Sequence, residues 1–288
     1  MTYAVITPAR NEADNLERLC AALAAQTLQP TAWIVVDDAS TDRTPELMAQ
    51  LGARHAWVRT VKREADDGEG LHRGRREGRA LVGFRAGFPA LPETDVVIKV
   101  DADVDFDPHY CERLVGAFAD DPSLAIASGT CHELEAGEWV RRTKSDTTVW
   151  GASRAYAADC LDDVRALEPR MGWDGLDELR VQLRGRRTET LVDLPFRHHR
   201  PEGGRETSLL HHGAALGRAS WYMGYRPTYL ALRAVYRARR QPTALAMVWG
   251  YAAAAVTREP RCPDRAVVAE LRRRQRLRVA LKRGAPVS

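Results

Sequence analysis

Three apolar runs in the first hundred residues end in polar or acidic side chains, and helical patterns lie between them. The runs are YAVITP from Tyr3, AWIVVDD from Ala32 and DVVIKVDAD from Asp95. Residues 16–23 place leucines and a cysteine at the i, i+3, i+4, i+7 spacing of one helix face. This alternation of strands and helices predicts a parallel sheet with helices on both faces. Ligands bind such sheets beyond the carboxyl ends of the strands, where these polar residues fall.

The second half of the 288-residue chain is less regular. Residues 108–119 favour a helix, whereas residues 124–130 (LAIASGT) and 191–199 (LVDLPFRHH) favour strands. After Pro201 the pattern is helical, with aromatic residues and arginines interleaved. The length suits one large domain. The sequence contains no uninterrupted run of about 18 apolar residues, so it predicts no membrane-spanning helix.

The charged residues and the cysteines bear on the partners and the compartment. The net charge is +4, but residues 258–283 carry ten Lys and Arg against three Asp and Glu, so the rest of the chain is mildly acidic. An acidic body suits a carboxylate metal site, and a basic tail suits an anionic surface. Five scattered cysteines without CxxC spacing favour a reducing compartment, and the N-terminal MTYAVITPAR favours a first strand over a secretion signal. We therefore expect a cytoplasmic protein.

Asp101 and Asp103 follow the buried run VVIKV, one residue apart. Two carboxylates at a strand end can approach one divalent ion, and Mg²⁺ or Mn²⁺ fills the rest of its shell with water and phosphate oxygens. The alternative is a solvated acidic turn in which Asp105 or Asp107 caps the next helix. The residue pattern alone leaves both interpretations open.

Two further clusters have the same ambiguity. In VVDDASTDRT, residues 40–42 are good helix caps, but capping does not explain two adjacent acids, Asp37 and Asp38, at the end of a buried strand. One of these acids can accept a hydrogen bond from a nucleobase or a ribose. In TPARNEADNL, Asn11 or Asp14 can cap the following helix, or the backbone around residues 8–10 can lie against a nucleotide.

The order PARNE, DDASTD and DAD, each after a strand, resembles the family 2 glycosyltransferases with the GT-A fold. GWDGLDELRVQLRG from Gly172 resembles that family's GED…L..R….G segment, and LVDLPFRHH resembles its following strand with a terminal histidine. The resemblance extends from Tyr3 to His199. Trp173 stands where the family usually has Glu, and Arg10 stands where many members have Tyr. The resemblance implies a GT-A-like, Rossmann-type α/β/α sandwich with a mostly parallel central sheet and a C-terminal helical extension.

The resemblance also implies roles for individual residues. Asp174 would be the general base, with Asp177 and Glu178 as the other candidate catalytic carboxylates. Asp103 would hold Mn²⁺ or Mg²⁺ on the diphosphate, with His198 or His199 completing the metal shell. The nucleotide-binding residues would be Pro8, Arg10, Glu12, Asp38 and Asp101, with Asp38 on the nucleobase and Asp101 on ribose or metal. The charge of the leaving diphosphate, apart from the resemblance, suggests that a basic side chain of residues 73–79 assists its departure.

These assignments predict three regions. Residues 1–104 would form the nucleotide-sugar-binding half and residues 105–200 the acceptor-binding and catalytic half of one domain. Residues 201–288 would form a basic helical extension, which either packs on the body or contacts a membrane surface from the cytoplasmic side. No nucleic-acid-binding module is present in the sequence, so we expect no nucleic-acid partner.

The predicted function is metal-dependent, inverting transfer of a sugar from a nucleoside-diphosphate sugar, UDP-sugar being favoured by the family resemblance. The acceptor would be a hydroxyl group in a glycan, a glycolipid or a small natural product. One alternative is a sugar-phosphate nucleotidyltransferase, although TPARNE is not the Gly-rich basic loop that such an enzyme needs. The other is a non-catalytic nucleotide-binding or membrane-surface adaptor.

Overall fold

The computed structural model describes residues 1–64, 76–135, 137–142, 148–200, 209–239 and 241–276. Its first part contains β1 (Tyr3–Ala9), α1 (Ala13–Ala24), β2 (Ala32–Asp38), α2 (Thr44–Arg54), β3 (Val58–Arg63), α3 (Arg76–Ala86) and β4 (Val96–Val100). The middle contains β5 (Val104–Phe106), α4 (Tyr110–Asp120), β6 (Leu124–Glu135), β7 (Glu138–Arg141), β8 (Ser153–Ala157), α5 (Leu161–Arg165), α6 (Trp173–Leu183) and β9 (Arg187–His198). The last part contains α7 (Leu209–Tyr222), α8 (Pro227–Ala238), α9 (Ala246–Val256) and α10 (Arg265–Arg274).

The nine strands of the described residues belong to one sheet, in the order β3-β2-β1-β4-β8-β6-β9-β5, with β7 paired to β6. Strands β3, β2, β1 and β4 are parallel, as the strand–helix alternation predicts. The carboxyl ends of β1 and β2 therefore lie side by side, with Ala9 opposite Asp37.

The expectation of a mostly parallel sheet holds for the first half and is wrong for the second. Strand β8 is antiparallel to both β4 and β6, and β5 is antiparallel to β9, whereas β6 and β9 are parallel. The reason is local for β6 and β7, which pair as a hairpin turning at Gly137 instead of through a helix. The sheet is therefore mixed.

The apolar core lies in two layers, one on each face of the sheet. Successive side chains of a strand point to opposite faces, so Val5 joins the layer under α1 and α4, while Ile6 joins the layer under α3 and α6. Strands β1, β2 and β4 are buried on both faces, which explains their continuous apolar runs. The predicted α/β/α sandwich is confirmed in this respect.

The helical character predicted after Pro201 is present over the described parts of the C-terminal region. Helices α7 and α9 pack closely through Gly217 and Gly250, where an added Cβ would lie 2.1 Å and 2.0 Å from backbone oxygens. Helix α10 packs on α6, and Val267 joins the core layer that α6 covers. The C-terminal helices are thus attached to the element that carries Asp174.

Candidate active site

Two loops at the carboxyl ends of β1 and β2 are tied together by Asn11. Its backbone N–H donates to the Ser40 hydroxyl at 3.0 Å, and its side-chain oxygen accepts from the Thr41 N–H at 2.8 Å. Asn11 and Ala39 both have φ near +54°, a region that residues with a side chain rarely occupy. Helix α2 begins after Arg43 without a side-chain cap, so Ser40 and Thr41 fix the loops instead of capping the helix.

Asp38 and Pro8 lie on the same side of the sheet, facing α3. The Oδ1 atom of Asp38 accepts from Arg63 Nε at 3.0 Å, and Oδ2 lies 3.9 Å from Arg79 NH1. Gly83, one turn after Arg79, packs so closely that an added Cβ would lie 2.8 Å from Pro8 Cβ. The structure therefore brings these two predicted nucleotide-site residues together, with the buried Asp38 carboxylate oriented by a guanidinium.

Arg10 and Glu12 follow β1, but they differ in their contacts. Glu12 is buried and accepts two hydrogen bonds from Arg200, at 3.1 Å and 3.2 Å. The same Arg200 lies 3.6 Å from Asp103 Oδ2, so Glu12 holds the cation that borders the acidic pair. Arg10 NH1 is buried without a hydrogen-bond partner among the described residues. A buried guanidinium nitrogen without a partner is costly unless a ligand acceptor reaches it.

Asp101, Asp103 and His198 converge where β4 ends. One ligand atom from each lies within 4.8 Å of the others. Asp101 is the accessible member, with 34% of its side chain exposed, and its Oδ1 lies 2.5 Å from Lys99 Nζ. Asp103 is buried, and its Oδ1 lies 3.3 Å from His198 Nε2. Two carboxylates and an imidazole at this spacing form a donor set that fits a divalent cation.

The two histidines at the end of β9 point in opposite directions, as neighbours in a strand do. His198 lies between Asp103 and Glu133, whose Oε1 is 3.7 Å from His198 Nδ1. His199 instead bonds Asp105 at 2.5 Å. The sequence offered both histidines as metal ligands, and the structure brings only His198 to the acidic pair.

The electrostatics of this cluster are dominated by His198. Burial alone raises the pKa of Asp103, but the hydrogen bond and the positive charge of His198, with Arg200 nearby, lower it overall. Burial alone lowers the pKa of His198, but its hydrogen bonds to Asp103, Cys131 and Glu133 raise it to about 12. Protonated His198 therefore places a positive charge beside the carboxylates. A metal ion bound by His198 would displace the proton from the imidazole nitrogen that binds it.

Asp174 lies in the first turn of α6, after Gly172, whose φ of +86° favours glycine. Its Oδ2 is 3.5 Å from the position that a Cβ on Gly151 would take. The carbonyl of Gly151 accepts from Lys99 Nζ at 2.8 Å, and Lys99 also bonds Asp101. Asp174 is therefore linked to Asp101 by a chain of contacts through Gly151 and Lys99. In this way the fold brings Asp174 near an acidic pair that lies about 70 residues earlier in the sequence.

Asp177 and Glu178 lie below Asp174 in a fully buried network around Arg154. The guanidinium bonds Asp177 at 2.7 Å and 3.1 Å, Glu178 at 3.0 Å and the Asp174 carbonyl at 2.7 Å. Tyr156 donates to Asp177 at 2.7 Å. Burial raises the pKa of Asp177 to about 6 and that of Glu178 to about 7, although Arg154 opposes both shifts. The network supports the α6 turn from beneath.

The sequence interpretation missed several residues that bond the predicted ones, among them Lys99, Arg200, Arg154 and Glu133. Lys99 had a visible signal, because a lysine inside the apolar run VVIKV needs a buried partner. Arg200 directly follows the histidine pair. Arg154 and Glu133 have no local signal, since each meets its partners only through the sheet. Residues 65–75 lie outside the described residues. They include the segment GEGLHRG (residues 68–74) and the first three residues of the basic stretch 73–79.

The sequence profile described as "Glycosyl transferase family 2" matches residues 4–169. The chain belongs to this family, which confirms the resemblance seen in the motifs. The chain is 30% identical over 130 residues to the dolichol-phosphate mannosyltransferase of Pyrococcus furiosus. That match covers 44% of this chain and 33% of the relative, so the chain aligns with about a third of that protein.

Two solved structures share the fold. The mannosyltransferase PcManGT from Pyrobaculum calidifontis, in complex with GDP-Man and Mn²⁺, gives a TM-score of 0.58 at 17% identity and covers 98% of this chain and 84% of its own. S. aureus TarS in complex with UDP-GlcNAc gives a TM-score of 0.55 at 18% identity and covers 75% of this chain and 65% of its own. At these identities the likeness demonstrates the fold alone.

Proposed function

We propose that the protein transfers a sugar from a nucleoside-diphosphate sugar to a hydroxyl acceptor, with a divalent cation and with inversion at the anomeric carbon. The observation that carries the proposal is the approach of Asp101, Asp103 and His198 to within 4.8 Å of one another. The cluster follows a strand of the parallel half-sheet, where such sheets bind ligands. Family membership supports this reaction over a nucleotidyltransferase or a non-catalytic adaptor.

Asp101, Asp103 and His198 would hold the cation against the diphosphate. Bound there, Mn²⁺ or Mg²⁺ neutralises the charge that develops on the leaving nucleoside diphosphate. Carboxylate oxygens suit both ions, but an imidazole nitrogen is a softer ligand than Mg²⁺ prefers, which favours Mn²⁺. The Mn²⁺ complex of PcManGT is consistent with this preference. Arg200, held by Glu12, adds a fixed positive charge 3.6 Å from Asp103.

Asp38, Pro8 and Arg10 would receive the nucleoside. A carboxylate at a strand end accepts a hydrogen bond from the N–H of a uracil or a guanine, and the hydrogen bond from Arg63 orients the Asp38 carboxylate. The orphaned Arg10 NH1 is a donor that a ribose or phosphate oxygen would satisfy. The sequence favours UDP, whereas the two structural neighbours contain UDP-GlcNAc and GDP-Man.

Asp174 would be the general base. Trp173 stands where the family usually has Glu, and it is buried in the core. The neighbouring Asp174 does carry a carboxylate, and it is only half-buried. The base would take the proton of the acceptor hydroxyl as the new C–O bond forms, a contribution of about 10²–10⁴-fold. Asp177 and Glu178 are committed to Arg154, so we propose that they position the α6 turn and do not exchange protons with the acceptor.

A donor hydrolysis panel tests the proposal without knowledge of the acceptor. UDP- and GDP-sugars are incubated with the protein and Mn²⁺ or with EDTA, and released nucleoside diphosphate is measured. We expect hydrolysis of one donor class only with metal. Asp174→Asn should lower kcat by about 10²–10⁴-fold while the Kd for the nucleotide stays unchanged. Asp162→Asn, an exposed acid on α5, is the matched control. Hydrolysis in EDTA, or equal losses of kcat and nucleotide affinity, would contradict the assignment.

A further inference from the structure

Helix α9 has an apolar surface on both sides. Its sequence, AMVWGYAAAAV, contains no charged residue. One side, including Met247 and Ala254, is buried against the rest of the C-terminal helices. The other side leaves Trp249 65% exposed and Val256 82% exposed. A helix that is apolar all round is normally buried on all sides, so the outward side of α9 lacks the cover that its composition requires.

The neighbouring helix α8 also leaves apolar side chains exposed. Helix α8 contacts both α9 and the turn that precedes it. Exposed apolar side chains recur at helical spacing on α8, and others continue on the turn and on α9. Together they form the outer apolar face, defined by Leu232, Val235, Tyr236, Leu245, Val248, Trp249 and Val256. Exposed apolar side chains that recur along packed helices mark a contact with a protein or a membrane, whereas single exposed residues do not.

The charges of this region select between those two partners. Residues 209–258 contain seven arginines and no aspartate or glutamate, and one of these arginines, Arg218, pairs with Glu259. Arg239 is exposed, with its guanidinium 5.6 Å from the Tyr236 ring, and Arg258 is exposed two residues beyond Val256. A second copy of the chain would bring arginines against arginines across such a face. A layer of anionic headgroups above apolar chains complements both the arginines and the apolar side chains.

The length of the helix decides how it would meet a lipid layer. No helix in the described part of the chain is long and apolar enough to span a membrane. Helix α9 has 11 residues, about 16 Å at 1.5 Å per residue, roughly half of a hydrocarbon core. Such a helix lies in the plane of the interface, and Trp and Tyr side chains prefer that depth.

We propose that the outer apolar face docks on an anionic lipid surface. The docked helices would be coupled to the active site, because Met223 at the end of α7 packs on Gly172, where an added Cβ would lie 2.7 Å from Met223 Sδ. The turn that presents Asp174 would thus be held near the membrane surface. The proposal goes beyond the proposed transfer reaction and does not depend on it.

Co-sedimentation of the full chain with vesicles tests this surface. Vesicles contain phosphatidylcholine alone or phosphatidylcholine mixed with phosphatidylglycerol. We expect binding to the mixed vesicles that weakens with salt, and a loss of roughly tenfold in the Val248→Gln/Trp249→Gln double variant. Leu183→Gln/Val192→Gln, which alters exposed apolar residues outside the C-terminal helices, should bind as the wild type does. Circular dichroism and donor hydrolysis verify that both variants remain folded and active.

Three results would overturn the proposal. The first is equal binding by the wild type and the Val248→Gln/Trp249→Gln variant. The second is equal binding to vesicles with and without phosphatidylglycerol, which removes the role of the arginines. The third is a dimer in light scattering that this double variant dissociates, without vesicle binding by the wild type, because a second copy would then cover the face.

Discussion

Replacing Arg154 by methionine removes the cation from the most deeply buried ionic network of the candidate site. The guanidinium is fully buried and makes five hydrogen bonds, three of them to Asp177 and Glu178 and two to the carbonyls of Val149 and Asp174. Breaking a buried pair leaves an uncompensated charge, which costs about 3–5 kcal/mol. We expect Arg154→Met to lower the free energy of unfolding by about that amount at pH of about 8.

The loss should depend on pH in a defined direction. The pKa of Asp177 is raised to about 6 and that of Glu178 to about 7, mainly by burial. An acid with a raised pKa stabilises the folded state fully below its ordinary pKa, roughly 4, and this contribution is lost as the pH rises through the folded-state value. Without Arg154 both pKa values rise further, so the deficit relative to wild type should shrink at pH of about 5.

Urea unfolding followed by circular dichroism at the two pH values measures the deficit. Arg54→Met is the control, because the Arg54 and Glu17 side chains are 50% and 52% exposed and their pair lies at the surface, where such pairs contribute about 0–1 kcal/mol. A deficit for Arg154→Met that is below about 1 kcal/mol, or that is the same at both pH values, would refute the account of the network.

Two further predictions concern positioning. Glu133→Gln should weaken Mn²⁺ binding by about 10–100-fold, because Glu133 orients His198. Glu135 pairs with the same arginine, Arg142, but is exposed, so Glu135→Gln should leave Mn²⁺ binding unchanged. Calorimetric titration with Mn²⁺ compares the two variants, and equal effects would contradict the role of Glu133. Gly172→Ala should destabilise the protein by about 1–3 kcal/mol because φ is +86° at this position. Gly116 lies inside a helix with open space where a Cβ would lie, so Gly116→Ala should stabilise the protein by roughly 0.5–1 kcal/mol. Thermal unfolding measures both variants, and an unchanged stability of Gly172→Ala would argue against strain at this turn.

The parts of the site that could be predicted from the sequence are those that one strand determines by itself. Asp38 and Asp103 each follow a continuous apolar run, and parallel strands put such ends at one edge of the sheet. The family resemblance then supplied Asp174, which lies far along the chain. Periodicity also predicted β1, β2 and β4, because strand, helix and next strand are neighbours in the chain.

The parts that could not be predicted depend on contacts between distant segments. The histidine pair at the end of β9 must point to opposite faces, but only the pairing of β9 with β5 and β6 determines that His198 meets Asp103. Asp177 and Glu178 on α6 bond Arg154 on β8, and no local sequence pattern predicts that contact. The antiparallel direction of β8 likewise follows from tertiary packing and has no periodic signature.

The most direct test of the account is calorimetric binding of UDP and GDP with and without Mn²⁺, in the wild type and in Asp103→Asn. Asp120→Asn, an exposed acid at the end of α4, is the matched control. We expect UDP or GDP, but not both, to bind the wild type and Asp120→Asn only when Mn²⁺ is present. We expect Asp103→Asn to lose this metal-dependent binding. Metal-dependent binding by Asp103→Asn as tight as that of the wild type, or binding that EDTA does not change, would contradict the account.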